Sequence, residues 1–214
     1  MVVSAVRRPA ALALFVLVLV LVLGAALLFD GLVAASIPHF KSPILNALVG
    51  TINPIGSGVT LLVVCLALAV MSRRIRRPRL HDAACISALA FASAGLIEFS
   101  LKHLVGRPRP DAALASAGLL GPSFAPDIDS FPSGHATSVF AVATVFAAYY
   151  PRLRWPLYAL AAAIALGRVY LARHYVSDII AGAVLGTIVA ACLYRHRQAL
   201  PGGITLEASA DRSD

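Results

Sequence analysis

Six stretches of the chain are nearly free of charge and rich in Leu, Val, Ala and Ile: Pro9 to Phe29, Ile52 to Ser72, Ala83 to Leu101, Ala136 to Tyr150, Trp155 to Gly167 and Ile179 to Tyr194. About 20 residues rising 1.5 Å each are needed to cross roughly 30 Å of hydrocarbon, so the last three must borrow polar flanking residues. The pattern predicts six membrane-spanning helices, at about 9–29, 52–72, 82–102, 133–150, 155–173 and 175–194. Between the first two, Ile37, Phe40, Ile44, Leu45, Leu48 and Val49 recur at helical spacing among polar positions, which predicts a short interfacial helix within Asp30 to Gly50. The expected fold is all-α: one integral membrane bundle over 1–214, with a polar outer loop at 111–131 and a flexible cytoplasmic tail at 196–214.

Punctuation supports these limits. Asn53-Pro54 starts the second span, Pro78-Arg79 closes a turn, and Pro108 and Pro110 stop the third span. Pro151-Arg-Leu-Arg-Trp-Pro156 leaves room only for a tight hairpin between spans four and five, and Gly182 and Gly186 form a small-xxx-small pair in span six. Arg7 and Arg8 before the first apolar run resemble the start of a secretory signal, and Val33-Ala34-Ala35 has the form of a cleavage site. The run is longer than the 7 to 15 residues of a signal core, so an uncleaved anchor is expected.

Composition excludes a soluble domain. The chain is 59% hydrophobic and 13% charged with mean hydropathy +0.84, against a charged fraction of about 25% in soluble domains. Alternation of six spans places twelve of the 18 Lys and Arg residues on the side of the termini, which the positive-inside rule makes cytoplasmic. The other six, Lys41, Lys102, Arg107, Arg109, Arg168 and Arg173, lie outside, most of them at span ends. The net charge of +8 sits in short juxtamembrane loops, so its partners are the bilayer's anionic headgroups and not nucleic acid. Cys65, Cys85 and Cys192 fall inside spans without paired spacing and suggest packing, neither a disulfide nor a zinc site.

Chemistry gathers at the outer ends. Phe131-Pro132-Ser133-Gly134-His135 reads as a helix start: Ser133 caps, Gly134 bares the amides to an anion, and His135 stands ready to hand a proton to a leaving oxygen. Span three ends in Lys102, Arg107 and Arg109, three basic groups within eight residues that are costly at a membrane boundary unless an anion lies among them. Glu98 is four residues from Lys102, the spacing of an ordinary helix pair. His174 and Asp178 are also four apart, so the carboxylate can accept the proton on one ring nitrogen and leave the other free to attack. Lys102, Arg109 and Arg168 supply positive charge for a phosphoryl group in flight. With Asp178 the sole convincing carboxylate of the set, no metal or other cofactor is expected. Asp127 and Asp129 read as solvated loop acids, and His39, His81 and His196 as surface or interface residues.

Lys102, six residues, Arg109-Pro110; Pro132-Ser133-Gly134-His135; and Arg168, five residues, His174, three residues, Asp178 resemble the three signature motifs of the type 2 phosphatidic acid phosphatase (PAP2) superfamily. These are membrane lipid phosphatases that share a core with the vanadium haloperoxidases, and the resemblance covers about Asp30 to Tyr194. It implies that His174 is the nucleophile of a phosphohistidine, Asp178 orients it, and His135 protonates the leaving group. Lys102, Arg109, Ser133, Gly134 and Arg168 would hold the phosphoryl oxygens. One departure is Gly167, where the family usually has Ser. Arg107, Arg173 and His103 adjoin the motifs and either support the site from behind or contact a headgroup.

The reading that results is a metal-independent phosphatase of a membrane lipid phosphate or diphosphate at the outer face of the inner membrane. Undecaprenyl diphosphate, phosphatidylglycerol phosphate, phosphatidic acid and lipid A phosphate all satisfy it. A phosphotransferase to a second lipid is the alternative among enzymes, and a lipid-binding or transport protein is the alternative outside them. A haloperoxidase is disfavoured because those relatives are soluble.

Overall fold

The computed structural model describes residues 2–200, so the end of the tail expected at 196–214 lies outside the described residues. Seven α-helices account for most of the described chain, and it holds no strand: α1 (Val2–Ser36), α2 (Pro43–Ile52), α3 (Gly58–Arg74), α4 (Pro78–Val105), α5 (Gly134–Tyr149), α6 (Arg154–Tyr170) and α7 (Val176–Ala199). α5 stands at the centre, with α3, α4, α6 and α7 packed around it, while α1 lies against α7.

Three apolar stretches have the length of a membrane span: Ala11–Phe40, Pro78–Val105 and Val176–Ala199. Pro43–Gly56 and Gly58–Arg74 make a fourth if taken together, bent by 54°. That bend falls at Ser57, inside the span the sequence suggests at 52–72: a 3-10 turn, Asn53–Gly56, continues α2, and Ser57 caps α3 by accepting the Thr60 amide at 3.1 Å. α5 and α6 have 16 and 17 residues, about 24 and 26 Å of rise, which is short of a full bilayer core.

The first helix runs through Asp30 to Ser36, past the loop start that Asp30 suggests. No proline interrupts it between Pro9 and Pro38, and Asp30 is not solvated: it is 3% exposed and paired with Arg107. The amphipathic segment within Asp30 to Gly50 folds as α2, with Ser42 as its cap.

Small residues set the helix spacing. Ala83, Ala90, Ala94, Ala141 and Ala190 are fully buried with Val145 and Tyr149 where α4, α5 and α7 meet. Gly186 lies against the Thr137 carbonyl of α5, and a Cβ on Gly182 would stand 2.5 Å from the Ser133 carbonyl. Backbones this close leave no room for a methyl group. The far end of the bundle is tied by Arg79 donating to the Tyr149 carbonyl and by Arg197 with Asp82 at 2.8 Å. The arginine-rich α3–α4 turn, the α5–α6 turn and the end of α7 therefore share one end, opposite Ser133 and His174.

Gly186→Ala is expected to force α5 and α7 apart at a cost of about 1–3 kcal/mol, or roughly 2–10 °C in the unfolding temperature of detergent-solubilised protein. Gly95, with nothing within 4 Å of its Cβ position, is expected to accept alanine without loss in the same thermal scan.

Candidate active site

α4 ends at Gly106 in a left-handed conformation (φ 56°) that an L side chain resists, and the backbone of Gly121 packs directly onto it. The loop is pinned there by Leu120 N to Gly106 O at 2.9 Å and Ser123 N to His103 O at 2.9 Å. This turn aims Arg107 inward, where Ser130 N donates to its carbonyl at 2.9 Å, and sets Arg109 beside Asp129.

His174 is 3% exposed, in the turn between α6 and α7. Its Nδ1 faces the Ser130 carbonyl at 2.8 Å and the Asp178 carboxylate at 3.7 Å. The acceptor within hydrogen-bond distance is thus a backbone oxygen, not the carboxylate that the four-residue spacing suggests, and Nε2 is left with its lone pair. Burial holds the imidazole below its usual pKa; the Asp178 carboxylate opposes that shift, and Lys102 and Arg109 add to it.

Asp178 is wholly buried and its oxygens are spoken for. Oδ1 accepts from Arg107 Nη1 at 2.6 Å, and Oδ2 accepts from Ser130 Oγ at 2.6 Å and from the Tyr175 amide at 2.8 Å, the last of these capping α7. Its backbone carbonyl receives the Ser133 amide at 3.0 Å, which fastens the start of α5 to the start of α7. Ser133 Oγ accepts the Ala136 amide at 3.5 Å.

Around His174 stand the cations. Arg168, Lys102, Arg109 and His174 are all close enough to His135 to act on it electrostatically. Lys102 pairs with Glu98 at 3.0 Å, and a Cβ on Gly134 would stand 2.9 Å from Glu98 Oε1, so Gly134 makes room for this pair. Asp129 is not the solvated acid its loop position suggests. Arg109 grips it through Nε at 2.8 Å and Nη2 at 2.9 Å, and Lys102 lies 3.9 Å away. The Arg109 hydrogen bonds hold its carboxyl down at about 2, and the same contact raises the Arg109 pKa. One carboxylate is thus shared by two of the cations near His174.

Arg168 donates to Asn53 Oδ1 at 3.1 Å, while Arg168 Nε and Asn53 Nδ2 are buried donors without a partner. Asn53 Nδ2 fills the place a side chain at Gly167 would need. The missing hydroxyl at 167 is therefore matched by an amide from the turn after α2. Of the residues beside the motifs, Arg107 lies behind the site on Asp178. Arg173 pairs with Asp111 at the surface at 2.8 Å. His103 anchors the loop through the Ser123 carbonyl and stacking on Phe124. His39 is exposed, and His81 and His196 lie at the opposite end from the site. Sequence reasoning misses Asp30, Asn53 and Asp129; the unusual placement of an acid in an apolar helix is the one available signal, at Asp30.

Residues 83–201 match the PAP2 superfamily. The chain belongs to that family. α1, α2 and α3 precede the matched segment. Over 98 residues the chain is 41% identical to the lipid A 1-phosphatase of Rhizobium johnstonii, covering 44% of this chain and 39% of that protein. It is 38% identical over 98 residues to the decaprenylphosphoryl-5-phosphoribose phosphatase of Mycobacterium tuberculosis, covering 46% and 52%. The match thus spans about half or less of these relatives' length. The PAP2 type phosphatidylglycerolphosphate phosphatase from Bacillus subtilis superposes with TM-score 0.69 at 22% identity, over 91% of this chain and 98% of that one. Aquifex aeolicus LpxE does so with TM-score 0.59 at 23% identity, over 76% and 92%. These two share its fold.

Gly167→Ser is expected to push Asn53 off Arg168 and weaken orthophosphate binding about tenfold, or ~1.4 kcal/mol, by calorimetric titration in detergent. Asn53→Ala added to that variant is expected to recover part of the loss, since it removes the clashing amide.

Proposed function

We propose that this PAP2 protein is a lipid phosphatase that works through a phosphohistidine on His174. The observation that carries the reading is the His174 ring: Nδ1 is engaged by the Ser130 carbonyl, which leaves Nε2 as the nitrogen with the lone pair, and burial with the nearby charges of Lys102 and Arg109 favours the neutral ring. Nε2 attacks phosphorus as the bond to the leaving oxygen breaks, and His135 gives that oxygen its proton. Lys102, Arg109 and Arg168, with the Ser133 and Gly134 end of α5, take the charge of the three phosphoryl oxygens, which is where such catalysis mostly resides. Water then attacks the phosphohistidine, giving a proton to His135, and inorganic phosphate leaves. The incoming phosphoryl group displaces Asp129 from Arg109.

Both oxygens of Asp178 are occupied by protein donors, which supports a mechanism carried by these side chains without a metal. The substrate is a phosphomonoester or diphosphate on a membrane lipid. The relatives' names, a lipid A 1-phosphatase and a decaprenylphosphoryl-5-phosphoribose phosphatase, support a phosphate borne by a glycolipid. The asymmetry of Lys and Arg supports six spans in the inner membrane, with both termini cytoplasmic and the site facing outward. In that topology α5 and α6 reach the boundary through the polar residues that build the site.

Purified protein is expected to release phosphate from lipid phosphates in EDTA, and His174→Ala to lose at least about 10³-fold in kcat, as removal of a covalent nucleophile does. Release that needs a metal or survives the substitution contradicts the reading. Because the attacking form is neutral and its pKa is lowered, the acid limb of kcat/KM is expected below pH 6.5; a limb above about pH 7 contradicts a neutral attacking His174 at neutrality.

A further inference from the structure

Asp30 is a carboxylate on a helix that is otherwise apolar from Ala11 to Phe29, and it is buried. A lone acid at that depth is costly, so its partners carry information. Arg107 Nη2 donates to its Oδ2 at 2.8 Å, the Ser177 amide to Oδ1 at 3.0 Å and Ser177 Oγ to Oδ2 at 2.5 Å. The same guanidinium places Nη1 on Asp178 Oδ1 at 2.6 Å and on Ser177 Oγ at 2.7 Å, and lies over the Tyr175 ring at 4.1 Å. One arm of a rigid fork therefore holds Asp30 and the other holds Asp178.

We propose that Asp30 and Arg107 are positioning residues for the His174–Asp178 pair: α1, which lies outside the family-matched segment, fixes the guanidinium, and the guanidinium fixes the carboxylate that faces His174 Nδ1. The kinetic consequence rests on the phosphatase reading; the electrostatic one does not. The groups that face His174 are Asp178 from α7, Lys102 from α4, His135 from α5, and Arg109, Asp129 and the Ser130 carbonyl from the loop. Of these, Asp178 is the one Arg107 binds through its side chain. An ion pair that merely anchored α1 would stabilise the fold but leave His174 unaffected. A relay makes Arg107 and Asp30 act on the imidazole in opposite senses. Removing the arginine charge leaves two carboxylates uncompensated and favours imidazolium, while removing the Asp30 charge leaves Arg107 to Asp178 alone and disfavours it.

The test is the titration of His174 by NMR in detergent-solubilised protein labelled with 15N-histidine, its signal assigned from a His174→Gln sample, for wild type, Arg107→Gln and Asp30→Asn. The pKa is expected to rise by about one unit in Arg107→Gln and to fall in Asp30→Asn. kcat is expected to drop about 10- to 100-fold in both, with KM within about twofold. Titrations that do not move, or that move in the same direction, overturn the proposal. If either variant does not yield folded protein, Arg107→Lys decides instead, since it keeps the charge but cannot bridge two carboxylates: an unchanged kcat and an unshifted titration then overturn the proposal, and a lost kcat at constant KM upholds it. Opposite shifts in the two variants, beside a wild type that releases no phosphate, would sink the phosphatase reading and leave the relay standing; intact release with unmoved titrations would sink the relay alone.

Discussion

The structure depends on one buried charge. Asp178 is fully enclosed at the start of α7, and a carboxylate there is tolerable only if donors surround it. Arg107 comes from the turn after α4, Ser130 from the end of the loop, and the Tyr175 amide from the cap of α7. Meeting the needs of that one group draws three distant parts of the chain together, and Arg107 in turn calls for Asp30 on α1. The loop, long and polar, is thereby held at both ends: at Gly106 where it leaves α4, and at Ser130 where it delivers a backbone oxygen to His174.

Packing supplies the second constraint. α5 and α7 approach so closely at Gly182 and Gly186 that backbone meets side chain and backbone directly, and this approach lets the Ser133 amide reach the Asp178 carbonyl. The capped start of α5 and the turn that carries His174 are therefore one rigid unit. Glu98 and Asp129 complete the charge pattern: Glu98 pairs with Lys102 and Asp129 with Arg109, which holds both cations in order around His174.

Much of this is legible in the residues. The apolar runs locate the helices, the proline and glycine positions locate their breaks, and three spaced motifs name the groups that the fold brings around His174. What stays hidden shares a cause. Asp30 meets Ser177 across 147 residues, and Asn53 meets Arg168 across 115, distances over which periodicity carries no signal. An acid ending an apolar run reads as the edge of a loop until a cation from elsewhere arrives to neutralise it. Asp129 reads as solvated for the same reason. The His174–Asp178 spacing does signal proximity, yet the Nδ1 contact within hydrogen-bond distance belongs to a backbone carbonyl, which no side-chain pattern can reveal.

That His174 carries the phosphoryl group can be checked directly. Wild-type protein mixed briefly with a lipid phosphate and quenched in alkali, where phosphohistidine survives, can be digested and its phosphorylated peptide located by mass spectrometry. A single modified site is expected, at His174, and it should disappear when the reaction is left to complete before quenching. Phosphate on another residue, or turnover by wild-type protein with no phosphorylated peptide at any quench time, would contradict a phosphohistidine at His174.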